Sequence, residues 1–271
     1  MAKALSITSW NINSVRLRID QVLRFLAEDQ PDVLCLQETK CPDPVFPANA
    51  FAKAGYVHQS FIGMKGYNGV AILSREPIRP LEAREMCAKP DARHIAVEIG
   101  EGAAAIQVHN FYVPAGGDVA DPEANPKFAH KLAFMEEVRQ FSESLRKAAP
   151  RSVLVGDLNI APLEHDVWSH KQLLDVVSHT PVETRAMMAT IAEGEWCDAF
   201  RALTPEPEKL YSWWSYRSPD WAAANKGRRL DHIWLGRGLK DQIISGAIRK
   251  ETRGWERPSD HVPITLTLAR D

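Results

Sequence analysis

Cysteine is scarce and unpatterned in this sequence. Cys35, Cys41, Cys87 and Cys197 form no CxxC pair and no metal-ligand spacing. That removes sequence support for a zinc site, which favours clustered Cys and His ligands, and for a disulfide framework. Cys35, inside the apolar run VLCL, reads as a small buried hydrophobe. Charge of one sign is lacking as well. The formal net charge is -2, so a nucleic-acid partner needs a local basic face rather than a basic chain. No segment approaches the roughly 20 apolar residues of a membrane span, and MAKALSITSW has no apolar stretch with a cleavage site. Neither a signal peptide nor a membrane partner is therefore expected, and a reducing cytoplasm is the simplest compartment. GxSxG, Walker A and HExxH are missing, which sets aside the site classes those motifs mark. No repeat of fixed period and no low-complexity tract interrupts the chain.

What is present is an ordinary globular composition: 271 residues, 45% hydrophobic and 25% charged. A chain of this size can build one large core, so residues 1–271 are read as a single domain. Leu5 to Trp10 reads as a strand. Ile19, Val22, Leu23 and Leu26 fall at helical spacing, with Ser14 as a candidate cap. Val33 to Leu36, Gly69 to Ser74, Ile95 to Ile99 and Ala105 to Val113 read as further strands. The stretch AGGDVADPEANPK reads as a surface loop. It is followed by a long amphipathic helix from Phe128 to Leu145 and a strand from Ser152 to Val155. Ala161 to Ala199 is harder to read, apart from a helical candidate around Thr184 to Ala192. Strands return at Leu230 to Leu235 and Ile264 to Leu268. Strands and helices are intermixed, which gives an α/β or α+β class.

Polar residues recur where these strands run out into turns. Asn11 and Asn13 follow Ile7 to Trp10, Glu38 follows VLCLQ, and Asp157 and Asn159 follow SVLVG. Asp231 lies in RRLDHIW, and Asp260 and His261 precede the last strand. One Asp or Asn after a strand is usually a turn former or a helix cap. Repetition at the ends of so many apolar runs fits side chains presented on loops by a rigid sheet. Hard-metal phosphoryl transfer suits such a set, because Mg²⁺ takes a few oxygen ligands and keeps water for the substrate. Glu38 and Asp260 fit as ligands. Asp157 with Asn159 can activate or orient water. His261 can hydrogen-bond a phosphoryl oxygen, with Asp231 fixing its tautomer. Candidate positive patches are Lys226, Arg228 and Arg229 in KGRR, the segment RKETRGWER from Arg249 to Arg257, and Lys127 with Lys131. Solvated surface charge is the competing reading of each. Tyr211, Trp213, Trp214 and Tyr216 read by themselves as core before they read as a base-stacking surface.

The segments SWNINSVR, LQETK, NFYVPAGG, VGDLNIAP, RLDHIW and SDHVPI resemble the ordered motifs of the exonuclease III family of abasic-site endonucleases. That family lies within the endonuclease/exonuclease/phosphatase superfamily. The resemblance runs from Trp10 to Ile264; NFYVPAGG and YSWWSYRS…GRRLDHIW are its more specific parts. It implies a four-layer sandwich, two mixed β-sheets face to face and flanked by helices. It implies Mg²⁺, with Mn²⁺ as a substitute, and a monomer acting on double-stranded DNA with abasic or 3′-blocked sites. The activity implied is cleavage 5′ to an abasic site, with 3′-5′ exonuclease and 3′-end-cleaning activities. Glu38 would be the principal metal ligand, with Asn11, Asp157, Asn159 and Asp260. Tyr112 would contact the scissile phosphate, and His261, paired with Asp231, would stabilise the transition state. Asn13, Trp213, Leu230, Arg228 and Trp221 would meet the substrate. Trp213 and Leu230 would line a pocket for a sugar without its base, and Trp221, in the loop SPDWAAANKG, would wedge into the duplex. Ser14 stands where the family's WNVNG pattern has Gly. A related phosphohydrolase acting on a lipid or small phosphate ester is the first alternative. A DNA-binding protein with a dead site is the second, although no expected catalytic position is substituted.

Overall fold

The computed structural model describes residues 4–270, and in it the strands form two six-stranded mixed sheets. The first contains β1 (Ala4–Asn11), β2 (Val33–Gln37), β3 (His58–Ile62), β4 (Val70–Ser74), β13 (Ile243–Ile248) and β14 (Ile264–Ala269), in the order β13-β14-β1-β2-β4-β3. The second contains β5 (Ile78–Leu81), β6 (His94–Ile99), β7 (Ile106–Tyr112), β8 (Ser152–Asp157), β9 (Cys197–Asp198) and β12 (Asp231–Leu235), in the order β5-β6-β7-β8-β12-β9. A two-stranded ribbon, β10 (Trp213–Trp214) with β11 (Gly227–Arg228), lies beside them.

Alternation along the strands explains the layering. Leu5 and Ile7, Val33 and Cys35, and Val70 and Ile72 of the first sheet share one core with Val97, Val108, Val153, Val155 and Ile233 of the second. Side chains on the opposite faces serve two outer layers. Trp10, Leu34 and Leu36 pack with Val22, Phe25 and Leu26 of the helix Ile19–Asp29. Leu154 and Trp234 pack with Phe134, Met135 and Val138 of the helix Pro126–Ala148. Both sheets are thus buried on two sides, which is why β2, β4 and β8 read as nearly continuous apolar runs. The result is the expected sandwich of helix, sheet, sheet and helix.

A polar tie crosses the buried centre. Gln37 Nε2 donates to Asn110 Oδ1 at 2.7 Å, and Asn110 Nδ2 donates to the carbonyls of Leu36 and Ala71 at 3.0 and 2.9 Å. β2 and β7 are locked together one residue or two before Glu38 and Tyr112 leave the sheets.

Some local expectations need correction. Ser14 does not cap the first helix. The residue preceding that helix is Arg18, with no side-chain cap bond. Ser14 is held at φ 89 while its amide donates to Glu38 O at 2.7 Å. That left-handed backbone is the one a glycine adopts without strain, so the serine keeps the glycine's conformation. Trp221 does not protrude from a loop. It starts a one-turn helix, Trp221–Ala224, and packs edge-on against Trp214 at 5.4 Å.

Candidate active site

Strand register assembles the site. β7 runs parallel to β8 with Tyr112 opposite Asp157, and β12 runs antiparallel to β8 with Asp231 opposite Asp157. Tyr112, Asp157 and Asp231 therefore stand in one row across three adjacent strands. In the other sheet, Asn11 is opposite Gln37, so Asn11 and Glu38 emerge together. Gly156, next to Asp157 within β8, lets that strand lie close against β7: a Cβ there would sit 1.9 Å from Phe111 O. At the ends of β1, β2 and β8 the backbone of Asn13, Glu38, Lys40 and Asn159 lies at φ 47–53. Such non-glycine conformations cost about 1 kcal/mol or more each and concentrate at functional sites.

The side chains converge on Asp157. Asn11 Nδ2 donates to Glu38 Oε1 and to Asp157 Oδ2, both at 2.8 Å. Asn159 Nδ2 donates to Asp157 Oδ2 at 3.2 Å and to Val113 O at 2.9 Å, and its amide donates to Asp157 Oδ1 at 3.0 Å. His261 Nε2 lies 3.6 Å from Asp157 Oδ2. On the other side of the ring, His261 Nδ1 meets Asp231 Oδ2 at 2.8 Å, and Ser212 Oγ donates to the same oxygen at 2.6 Å. Asp231 accepts only, so Nδ1 carries the proton of that bond.

Burial and charge set the protonation states. Burial pushes the Asp157 carboxyl up to about 7, against the pull of His261. Burial alone would lower His261, but Asp231 and Asp157 outweigh it and raise the ring to about 10. Burial, with Glu38 and Asp157 nearby, holds the Tyr112 phenol well above its usual value. Glu38 behaves differently. Burial raises it, yet Lys40 and Asn11 prevail and it is lowered; Lys40 Nζ lies 2.8 Å from Glu38 Oε2. Asp260 is likewise lowered: burial opposes this, and His261, Trp213 and Asn13 carry it.

Asp157, Asp231 and His261 form a buried acidic and histidine cluster compact enough to hold a cation. Hydrogen bonding divides it by role. Asp231 and His261 satisfy each other, which is a proton relay's arrangement. Around the cluster, Glu38, Asp260, Asn11, Asp157 and Asn159 offer oxygen donors and no thiolate, a chemistry that suits a hard divalent cation. Asp260 stands on the Asn13 side: Asn13 Nδ2 donates to its Oδ1 at 3.1 Å and Trp213 Nε1 to its Oδ2 at 2.9 Å. Lys40 Nζ donates to Asn13 Oδ1 at 2.6 Å, linking Glu38 to Asp260 through Asn13.

A cleft of about 780 Å³ opens over this cluster. Glu38, Asn159, Asp260 and His261 lie at its base, and Trp213, Leu230, Arg228 and Trp221 line its wall. Asn11, Asn13, Asp157, Asn159, Asp231, Asp260 and His261 are joined by hydrogen bonds around Asp157 and Asp260, and Trp213, Leu230, Arg228 and Trp221 lie along the cleft. The aromatic run divides: Tyr211 is core, Trp214 is buried with one side on the cleft, and Trp213 faces the cleft. Most candidate cations are engaged within the protein. Arg229 is buried between Asp166 and Asp198, Lys131 is buried against Glu183, and Arg249 pairs with Glu28, Asp29 and Glu251. Arg253 donates to Trp214 O. Lys226 and Arg228 line the cleft.

Sequence reasoning missed Lys40, Ser212 and Arg93. Arg93 donates to Tyr112 O at 3.2 Å, and its guanidinium lies 4.8 Å from the Tyr112 ring centroid. Lys40 and Ser212 lie inside LQETK and YSWW, so position within a motif was the available signal. Nothing in the sequence ties Arg93 to Tyr112.

Comparison with known proteins agrees with this geometry. The profile of the Endonuclease/Exonuclease/phosphatase family matches residues 8–261. Exodeoxyribonuclease III of Haemophilus influenzae is 31% identical over 96% of this chain and 98% of its own length. A 3′ phosphatase from Neisseria, solved with a product DNA hairpin, superposes with a TM-score of 0.88 at 32% identity, covering 98% of this chain and 99% of that one. An AP endonuclease from Archaeoglobus fulgidus superposes with a TM-score of 0.87 at 32% identity, covering 97% and 99%.

Proposed function

The chain belongs to the Endonuclease/Exonuclease/phosphatase family, and from that premise we propose that it is a DNA repair nuclease which hydrolyses the phosphodiester 5′ to abasic sites in duplex DNA. Trimming of 3′ ends belongs to the same reading. The main support is the row Tyr112–Asp157–Asp231, completed by His261, at the base of a cleft walled by aromatic and cationic side chains. The relatives named above act on DNA by their own descriptions.

Glu38 and Asp260, with Asn11, Asp157 and Asn159, would hold Mg²⁺, with Mn²⁺ able to replace it. When bound, such an ion neutralises phosphate charge and acts as a Lewis acid. The chain's own groups do the rest. Asp157, with a carboxyl near 7, accepts a proton from the attacking water at neutral pH. Asn159 and Asn11 orient that carboxylate through their donated bonds. His261 is a cation at neutral pH, and its Nε2–H donates to a phosphoryl oxygen as charge builds there. Asp231 holds the ring in place, itself held by Ser212. Tyr112 remains a phenol and donates to the phosphate. Trp213 and Leu230 form an apolar wall that accepts a sugar without its base and excludes an intact nucleotide by size.

A substrate panel tests this reading. Duplexes carrying one abasic analogue, no lesion, or a 3′-phosphate are incubated with the protein and Mg²⁺ or EDTA, beside a soluble phosphate monoester and a phospholipid. The expected result is an EDTA-sensitive nick 5′ to the abasic analogue. Turnover of the small or lipid ester without cleavage of any DNA would contradict the reading.

A further inference from the structure

The turns on either side of Asp260 and Asn13 hold non-glycine residues in left-handed backbone. After β1, Asn13 lies at φ 47 and Ser14 at φ 89; ahead of Asp260, Arg257 lies at φ 49. Such conformations persist only where surrounding contacts over-determine them. One side chain grips both turns. Arg18 is buried directly before the helix Ile19–Asp29. Its Nε donates to Arg257 O at 2.9 Å, and its Nη1 donates to Asn13 O and, at 3.3 Å, to Ile12 O. Its Nη2 donates to the Tyr216 hydroxyl at 3.0 Å, and that hydroxyl donates to Pro258 O at 2.7 Å. Each of these acceptors is a neutral oxygen. A buried charge needs its donors satisfied, and bonds from an ionised donor are stronger than neutral ones, so the guanidinium and the turns fix one another.

The side chains on these turns connect the clamp to the site. Asn13 Nδ2 donates to Asp260 Oδ1 at 3.1 Å, and Asn13 Oδ1 accepts from Lys40 Nζ at 2.6 Å. The same ammonium stands 2.8 Å from Glu38 Oε2. Asn13 therefore bridges the surroundings of two carboxylates, and its backbone sets where its amide points. Asp260 itself follows Arg257, Pro258 and Ser259, so both ends of the Asn13–Asp260 bond hang on turns that Arg18 holds. Ser14 adds a strain of its own. A glycine adopts φ 89 without steric cost, whereas a residue with a Cβ does not. In this chain, contacts must hold what a glycine would hold unaided.

We propose that Arg18 is a positioning residue for the reaction. Its guanidinium clamps the turns at Asn13–Ser14 and Arg257, keeps Asn13 between Asp260 and Lys40, and so sets the affinity of the site for its divalent cation. The proposal rests on the reading that Glu38 and Asp260 hold that cation for phosphodiester cleavage. Its signature differs from that of a group that touches the phosphate. Losing such a group lowers the rate at saturating metal, whereas losing a group that orients a ligand raises the amount of metal required. A clamp that works against the strain at Ser14 also becomes dispensable once that strain is removed.

The test compares wild type, Arg18→Met, Ser14→Gly and the double variant, each as the full chain. Binding of Mn²⁺ to the DNA-free protein is measured from the electron paramagnetic resonance signal of the free ion. The Mg²⁺ concentration for half-maximal cleavage of an abasic duplex is measured beside it. Arg18→Met is expected to raise both values about tenfold or more, with the rate at saturating Mg²⁺ within about threefold of wild type. Ser14→Gly alone is expected to change neither value. In the double variant the glycine is expected to return both to within about threefold of wild type. Arg18→Lys, which keeps the charge but not the planar fork, replaces the methionine variant if that one does not fold, and a shift in the same direction is expected. An unchanged metal requirement without Arg18 overturns the proposal. So does a loss confined to the rate at saturating Mg²⁺, or a raised requirement that Ser14→Gly does not relieve. Wild type that binds no Mn²⁺ overturns it as well. Wild type that binds Mn²⁺ and cleaves no DNA sinks the nuclease reading, and the Mn²⁺ affinities of the variants then decide this proposal by themselves.

Discussion

At the scale of residues, the site is a set of opposed protonation states held a few ångströms apart. Asp157 sits near neutrality because burial disfavours its charge, and His261 is a cation because two carboxylates outweigh the same burial. The sign of the His261 effect can be followed through pH. A ring raised from 6.5 to about 10 adds stability that is fully present below 6.5 and is lost as pH rises through 10. The donor to the phosphoryl oxygen disappears over the same upper range. Activity is therefore expected to fall on an alkaline limb near pH 10 in a kcat/KM profile. Asp231→Asn removes the largest raising charge, and the limb should move toward neutral pH. His261→Asn should remove the limb and lower the rate by about 10²–10⁴. An alkaline limb unmoved by Asp231→Asn would contradict the assigned relay. Asp157 was legible in sequence because it follows an apolar run, and Asp231 and His261 because each stands just before one. Ser212, which steadies Asp231 from nineteen positions away, was not, since a serine between aromatics carries no signal of its partner.

At the scale of elements, the central strands were legible and the edges were not. β2, β4 and β8 are buried on both faces and appear as apolar runs, while β1 and β7 interleave apolar with polar residues. β13 is mostly exposed, β3 is only partly buried, and β5 holds a proline as an edge strand can, so none shows an apolar run or clear alternation. The segment after GDLN resisted reading for a different reason: its order comes from buried ion pairs, not apolar period. Asp166 there receives Arg201 and Arg229. Lys131, read as a candidate surface cation, is fully buried, with Nζ 2.5 Å from Glu183 Oε1 and 2.8 Å from Asn159 O. Glu183 in turn accepts from the amides of Ser178 and Thr180. One pair thus ties the long helix to the loop that carries Asn159 and to the cleft wall at Ser178. Lys131→Met leaves Glu183 buried and unpaired, and should cost about 3–5 kcal/mol in urea unfolding. A loss below about 1 kcal/mol would show that the pair does not brace this wall.

At the scale of the molecule, two sheets, one built from the two ends of the chain and the other from its middle, deliver their strand ends to one cleft. Asn11 and Glu38 come from the first sheet, and Tyr112, Asp157 and Asp231 from the second. Asn11 of the first sheet joins Glu38 to Asp157 of the second, so neither sheet holds a complete site. The net charge is -2, and Lys226 and Arg228 place positive charge on the wall of the cleft. The central claim is that this two-sheet cluster, with Glu38 as its principal oxygen ligand, cleaves DNA at abasic sites. Single-turnover cleavage of a duplex with one abasic analogue, by wild type and Glu38→Gln in Mg²⁺, tests it most directly. The account predicts a nick that leaves a 3′-hydroxyl for wild type, and a rate lower by about 10³ for Glu38→Gln with duplex binding retained. Equal rates for the two proteins would contradict it.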